Sequence, residues 1–350
     1  MSGPGRWRSG GFGIAPDLAT GRLANLARDW LPRVRPSIGG VYAYVSGSSI
    51  VGAYPTASER FTFSTQSVAA HTASAMTEAK AIGSSLSDTV TYGYYQGGQS
   101  STGVALTTGE RITFSTGALA ASTANNLSAV REYVQGLSDS VTFGYVCGGD
   151  TGDGIDLTNV DRVTFSSSTT ATSTNVLTGV RNSGLMLSDA VTFGYYQGGS
   201  TVNGGGFSLV SQRITFSTGV WATRTAADLS LARAEGAGLS GVGFDFGYTQ
   251  GGYSGANVVT SDRVTFSTSI GAANTASNLT QGRGNTTHGF SDTAAGYVGG
   301  GNTPSLATTG SRLTNAIERL AYAVGTSLQM TTALLITSHQ EPYTVSDGHV

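Results

Sequence analysis

Cysteine and lysine each occur once in these 350 residues, as Cys147 and Lys80, and charged residues make up only 11%. A single cysteine excludes an intrachain disulfide and a cysteine-rich zinc site. The four histidines, His71, His288, His339 and His349, show no metal-ligand spacing, so no metal or cofactor is expected. No run of 18 apolar residues occurs, which leaves no helix of membrane-spanning length in prospect and no membrane insertion. The N-terminal arginines are not followed by an apolar segment, so the expectation is no secretory signal and synthesis in a cytoplasm. A net charge of −2 gives no general case for a nucleic-acid partner or an anionic membrane.

Hydrophobic residues reach 39%, and Gly, Ser, Thr and Ala fill the place of the missing charge. That is too apolar and too strongly patterned for a disordered chain. Residues 1–36 stand apart. Arg6, Arg8, Arg22, Arg28, Arg33 and Arg35 face only Asp17 and Asp29 there, and Asp17 to Leu31 has the apolar spacing of a short helix ended by Pro32 and Pro36. This basic arm reads as a docking arm or an N-terminal cap.

From Val41 onward the chain repeats itself, and three markers measure the period. A strand arginine recurs at Arg60, Arg111, Arg162, Arg213, Arg263 and Arg319, in steps of 50–51 residues that lengthen to 56 at the end. A tyrosine ahead of paired glycines recurs at Tyr44, Tyr94, Tyr145, Tyr195, Tyr248 and Tyr297. In four of these copies the second glycine is Gly98, Gly149, Gly199 or Gly252. A Leu-Ser-Asp phrase or a near variant ends at Asp88, Asp139, Asp189, Asp292 and Asp347, with Gly241 replacing the acid in the fourth copy. The repeat units run approximately 41–91, 92–142, 143–192, 193–245, 246–294 and 295–350, giving a repeat domain over 37–350.

Each copy holds four short strand-like runs between turn residues. One copy reads Asn182 to Ser188, Val191 to Gln197, Arg213 to Thr218 and Val220 to Thr225. In the third run Ile112 and Phe114 alternate with Arg111, Thr113 and Ser115, so one face is apolar and the other carries small hydroxyls. Aromatic rows are expected to pack on a neighbour's smaller residues. A period near 50 with four strands per copy is the pattern of propeller blades. The first copy lacks a preceding Leu-Ser-Asp strand, and Tyr343 to Asp347 at the far end supplies one. The expected fold is all-β: a six-bladed β-propeller closed by one C-terminal strand joining three N-terminal ones, which leaves no sheet edge open.

At the double glycines and the downstream arginine the chain resembles the kelch family. The fuller phrase Gly-Tyr-x-x-Gly-Gly followed by Asp/Glu-Arg-x-Thr-Phe-Ser-Thr is similar to kelch-like repeats in virion proteins of tailed bacteriophages, especially cyanophages. The likeness covers roughly residues 40–347. The Trp of the kelch fourth strand is missing from most copies, with only Trp221 near its place. The resemblance implies a fibre, spike or decoration protein located in a virion, its arm attached to other virion proteins and its propeller on a host-surface glycan or protein. A cellular interaction propeller is the alternative. An oxidising or carbohydrate-active enzyme is the second. Copper enzymes of the kelch type use histidine and tyrosine ligands with a Cys–Tyr crosslink. Cys147 follows Tyr145 here without a histidine pair, so no copper site carries over.

No nucleophile elbow, Walker loop or paired-carboxylate motif stands out, and no enzyme is expected. Lys80, Arg131, Arg181, Arg233, Arg283 and His339 recur eight or nine residues before the Leu-Ser-Asp acid, or before Gly241 in its place. They read as framework bonds to carbonyls or acids, with a ring for anions as the functional alternative. The strand arginines each follow Glu59, Glu110, Asp161, Gln212, Asp262 or Glu318, which suggests a structural salt bridge or hydrogen bond in every copy. What differs between copies is the loop after the double glycine. Phe207, Tyr253, Asp150 and Asp153 are its candidate binding residues, since rigid scaffolds carry recognition on variable loops. The run Asp150, Asp153 and Asp156 also offers oxygen ligands for calcium, but without the EF-hand spacing a solvated turn is the plainer reading.

Overall fold

The computed structural model describes residues 40–48, 54–201, 206–241, 243–284, 289–304, 311–336 and 342–347. The arm 1–36 with its helical pattern, and His288, His339 and His349, lie outside the described residues.

Six four-stranded antiparallel sheets form the blades of a β-propeller. From axis to rim, blade I is Ser84–Ser87, Tyr92–Gln96, Gly109–Thr113 and Ala118–Ala121. Blade II is Gln135–Ser138, Phe143–Cys147, Val160–Thr164 and Thr169–Thr172. Blade III is Leu185–Ser188, Phe193–Gln197, Ser211–Thr215 and Val220–Thr223. Blade IV is Ala237–Ser240, Phe246–Gln250, Ser261–Thr265 and Ile270–Ala273. Blade V is Gly289–Ser291, Ala295–Gly299, Ala316–Ala321 and Thr326–Leu334. Blade VI takes Tyr343–Ser346 from the C-terminal end and Tyr42–Ser46, Ser58–Thr62 and Ser67–Ala70 from the N-terminal end. A blade therefore begins one strand earlier than the sequence units drawn from Val41, because each unit's last strand is the next blade's first.

The Leu-Ser-Asp phrase does two jobs. Its aspartate turns the chain from the first strand into the second. Asp139 Oδ1 accepts the backbone N–H groups of Val141, Thr142 and Phe143 at 2.9, 2.6 and 2.9 Å, and Asp88 and Asp189 repeat the pattern. Its serine ties neighbouring blades at the axis. Ser87, Ser138 and Ser188 each donate to the backbone carbonyl of the preceding serine, at Ser346, Ser87 and Ser138, over 2.8–3.0 Å. Ser346 donates to Ser291 in the same way at 3.1 Å. The six innermost strands touch in a closed cycle, with Tyr343–Ser346 between Ser84–Ser87 and Gly289–Ser291.

Closure uses the same chemistry across the two ends of the ring. Tyr343–Ser346 pairs with Ala43–Ser46. Asp347 Oδ1 accepts from Val41 N at 2.6 Å and Tyr42 N at 2.9 Å. The aspartate that elsewhere turns one strand into the next here captures a strand from the opposite end of the propeller.

Between blades the tyrosine marker of one sheet lies against the aromatic after the third strand of the next. Tyr44/Phe114, Tyr94/Phe165, Tyr145/Phe216, Tyr195/Phe266, Tyr248/Tyr322 and Tyr297/Phe63 have ring centroids 5.5–6.4 Å apart. The expected aromatic-on-small packing is thus corrected to aromatic on aromatic, a contact that contributes beyond its buried area. The small residues take a different knob. A Cβ on Gly144 would lie 2.7 Å from Leu86 Cδ1 of the preceding blade, so glycine is what lets the inner leucine seat.

Candidate functional site

The recurrent charged residues are built into the frame. Arg131 Nη2 meets Asp161 Oδ2 at 2.7 Å, Arg233 Nη1 meets Asp262 Oδ2 at 2.7 Å and Arg283 Nη2 meets Glu318 Oε1 at 3.0 Å. Lys80 Nζ lies 3.4 Å from Glu110 Oε2. All four cations are fully buried. They also bond carbonyls of the glycine turn and its neighbours, as when Arg131 Nη1 donates to Gly148 and Asn159 at 3.0 and 3.2 Å. Burial removes them from any ring that would receive an anion. Burial also pushes the Lys80, Arg233 and Arg283 pKa values down, opposed by the facing acids.

The acid beside each strand arginine is therefore not that arginine's partner, because adjacent residues on a strand face opposite ways. Arg60, Arg111, Arg162, Arg213 and Arg263 lie instead over Tyr42, Tyr92, Phe143, Phe193 and Phe246, at 3.9–4.5 Å from the ring centroids. In blade V the matching position is Ala295, and Arg319 bonds Tyr297 instead. These are cation–π contacts along the blade faces.

The double glycine fixes where the variable loop leaves the sheet. Gly199 has φ +92°, its N–H donates to Arg233 O at 2.9 Å, and a Cβ there would come within 2.6 Å of Asn182 O. Gly98, Gly149 and Gly252 donate likewise to Arg131, Arg181 and Arg283. The residue after the glycines then bridges back to the residue after the basic one in the same blade's own lead-in: Asp150 to Glu132, Ser200 to Asn182 and Tyr253 to Ala234. One place further on, Ile82, Tyr133, Ser183 and Glu235 share a left-handed φ of 50–60°. They join blade to blade, Tyr133 N to Ile82 O, Ser183 N to Tyr133 O and Glu235 N to Ser183 O, over 2.8–3.0 Å.

This annulus brings the four loop candidates together. Asp150, Asp153, Phe207 and Tyr253 line one cavity of about 510 Å³ across blades II, III and IV, with Glu132, Tyr133, Asn182, Ser183, Ser200 and Glu235. Phe207 and Tyr253 meet edge to face at 5.6 Å, and Tyr253 keeps 37% of its surface exposed. The lead-in residues Glu132, Tyr133, Asn182, Ser183 and Glu235 escaped the sequence reading. Their signal was type: directly after a basic residue that is constant, the chain reads Ala81, Glu132, Asn182, Ala234 and Gly284. Two smaller cavities, of about 250 and 240 Å³, are lined largely by framework groups such as Tyr145, Arg162, Asp189 and Phe266.

Within the cavity the carboxylates are crowded. Glu132 Oε2 accepts from Gln99 Nε2 of blade I at 2.7 Å. Burial, helped by the Asp150 charge, pushes Glu132 up to about 7. Burial also raises Asp150, helped by Asp156 and Asp153, against the Gly152 N–H that it accepts at 2.7 Å. Asp153 is held below its ordinary value by the Thr151 hydroxyl. Asp156 accepts from Asn182 Nδ2 at 2.6 Å. Among the described residues no three His, Cys, Asp or Glu side chains are placed to hold one ion. Cys147 is fully buried, which raises its thiol well above the ordinary range, and His71 Nδ1 pairs with Ser74 Oγ at 2.9 Å.

Comparison with known protein families and with curated proteins finds no match for this chain. The class is set by fold: a six-bladed β-propeller of four-stranded repeats, an architecture that fits a protein-interaction module.

Proposed function

We propose that the chain is a non-enzymatic binding protein whose recognition surface is the double-glycine loop face of blades II to IV. One observation carries the reading. The residues common to the copies are turned into the frame, whereas those that differ gather from three successive blades around a single cavity. Glu132, Asp150, Asp153 and Glu235, which do not recur in every blade, lie in this cavity beside aromatic rings suited to contact. The narrower reading, a fibre, spike or decoration protein of a tailed phage, with the N-terminal arm for attachment and the propeller on the host surface or other subunits, is supported by the kelch-like phrases alone.

Two measurements test this. Mass spectrometry of purified phage particles should find the chain in the virion, and its absence defeats the virion reading while leaving the binding face. Replacing Phe207 and Tyr253 together with alanine should abolish adsorption to the host surface at an unchanged melting temperature. Full adsorption by that variant defeats the binding face.

A further inference from the structure

We propose that the cavity across blades II to IV binds an organic cation, an ammonium or guanidinium group presented by the partner, between Glu132 and Asp150 and beside Tyr253. The proposal rests on the loop face being a recognition surface and names the chemistry that it takes.

The first ground is charge placed without its complement. Glu132, Asp150 and Asp153 line the cavity, and no Lys or Arg is among the described residues that do so. The cations nearest in the chain are committed elsewhere. Arg131 precedes Glu132 but points into its own blade at Asp161. Arg181 precedes Asn182 and donates to Gly198 O at 2.8 Å. Arg233, two residues before Glu235, is held by Asp262. The alternation that sends Arg131 inward leaves Glu132, the next residue, facing the cavity. Glu132 and Asp150 bond only to neutral donors, Gln99 Nε2 and Gly152 N.

The second ground is independent of those acids. Ser200 lines the same cavity at 5% exposure, and its Oγ has no hydrogen-bond partner. A buried hydroxyl without a partner is costly, and an N–H donor entering the cavity would relieve it. Tyr133, Phe207 and Tyr253 add ring faces that attract a cation and that an anion would avoid. At about 510 Å³ the space is large for a bare metal ion, and among the described residues no three ligating side chains converge on one. A neutral sugar would use the rings and Asn182 but would gain nothing from the uncompensated charge.

Proton linkage supplies a signature. The groups facing Glu132 are Asp150, Asp153, Glu235 and the phenols of Tyr133 and Tyr253, with Asp156 behind Asn182. Glu132, raised to about 7 by burial and by Asp150, must ionise to hold a cation. Binding should therefore strengthen as pH rises, by about tenfold between pH 6 and pH 8, and level off above.

The test is titration calorimetry of the full chain at low salt with three probes: a short lysine- and arginine-containing peptide, a glucosamine oligosaccharide and its N-acetylated counterpart. Both cationic probes should bind saturably and the neutral one should not; the peptide, which stays charged throughout, should follow the pH profile above, whereas the amino sugar should fall off at the alkaline end as its own amine loses its proton. A preference between the two cationic probes assigns the source as protein or amino sugar. Glu132→Gln with Asp150→Asn should weaken cation binding at least tenfold. The wild-type pH profile decides the matter even if that variant fails to fold. Equal binding of the acetylated probe, a flat pH profile, or undiminished cation binding by a folded variant overturns the proposal. In each of those cases loss of partner capture on replacing Phe207 and Tyr253 would still uphold the recognition face.

Discussion

Blade III carries a fault that the other described blades with this pair lack, and repairing it should stabilise the protein. At the residue before the strand arginine Glu110, Asp161, Asp262 and Glu318 each face a buried cation. The same carboxyl groups accept a backbone N–H from Thr77, Ser128, Ser230 and Thr280, at 2.5–3.1 Å. Gln212 holds that register position in blade III, opposite Tyr196. Its single oxygen is used by Thr178 N at 2.6 Å, and its Nε2 is buried without a partner. Arg181 is left with Gly198 O and no carboxylate, at 7% exposure against complete burial for its counterparts, and burial pushes its pKa down.

Gln212→Glu exchanges the stranded donor for an acceptor at almost constant volume. Relieving the unpaired N–H is worth about 1–3 kcal/mol, and a hydrogen bond to a charged group about 1.5–3 kcal/mol. Desolvation of the new carboxylate takes back several kcal/mol, while that of Arg181 is already borne by the wild type. The net expectation is a gain of about 1–3 kcal/mol, read from the urea midpoint of the full chain at an unchanged slope. The same substitution in an Arg181→Met background should instead destabilise, because it buries a carboxylate with no partner. The two effects should differ by about 3–5 kcal/mol, the usual cost of breaking a buried pair. A lower midpoint for the single variant, or equal effects in both backgrounds, refutes the pairing.

Removing residues 342–350 should lower the melting temperature sharply, because blade VI loses the strand that pairs with Ala43–Ser46, and an unchanged melt would refute the closure. The milder Asp347→Ala should cost about 1–2 kcal/mol in urea unfolding, the scale of losing a capping side chain, through the freed Val41 and Tyr42 N–H groups. Gly144→Val should cost about 1–3 kcal/mol by overpacking Leu86, with partial recovery on adding Leu86→Ala. For Glu132 the folded state holds its proton up to about pH 7, against an ordinary 4.5. Its stability contribution is therefore intact below 4.5, declines as the unfolded chain ionises first, and is lost by pH 7. Glu132→Gln should match the wild type near pH 4 and exceed it at pH 8 by about 1–2 kcal/mol after solvent screening, read as the difference in urea midpoint.

The ring, its blade count and its closure were legible because each depends on local phrases that recur: an aspartate that turns, glycines that bend, alternation that sorts faces. Pairing was less legible, for a reason the strand period itself contains. Asp161 and Arg162 look like a pair in one dimension, yet period-two geometry sends them to opposite faces. The true partner, Arg131, lies thirty residues earlier on the lead-in to the same blade. Arg162 goes to Phe143, which the sequence places within reach only once the register Tyr145 to Arg162 is known.

The cavity was half legible. Its loop members were exposed by differing between copies, but Glu132, Asn182 and Glu235 sit so close behind constant basic residues that they passed as part of them. Repetition explains both outcomes. A residue kept in every blade meets the same neighbours in every blade, buried like Arg131 or laid along a blade face like Arg162, so it serves the frame. Chemistry directed at a partner needs positions that line a cavity and are free to differ. Those positions are the residue after the glycines and the residue after the basic group, brought together wherever a blade's loop bridges back to its own lead-in. In blades II to IV that row reads Glu132, Asp150, Asn182, Ser200, Ala234 and Tyr253, six side chains of which no two are alike.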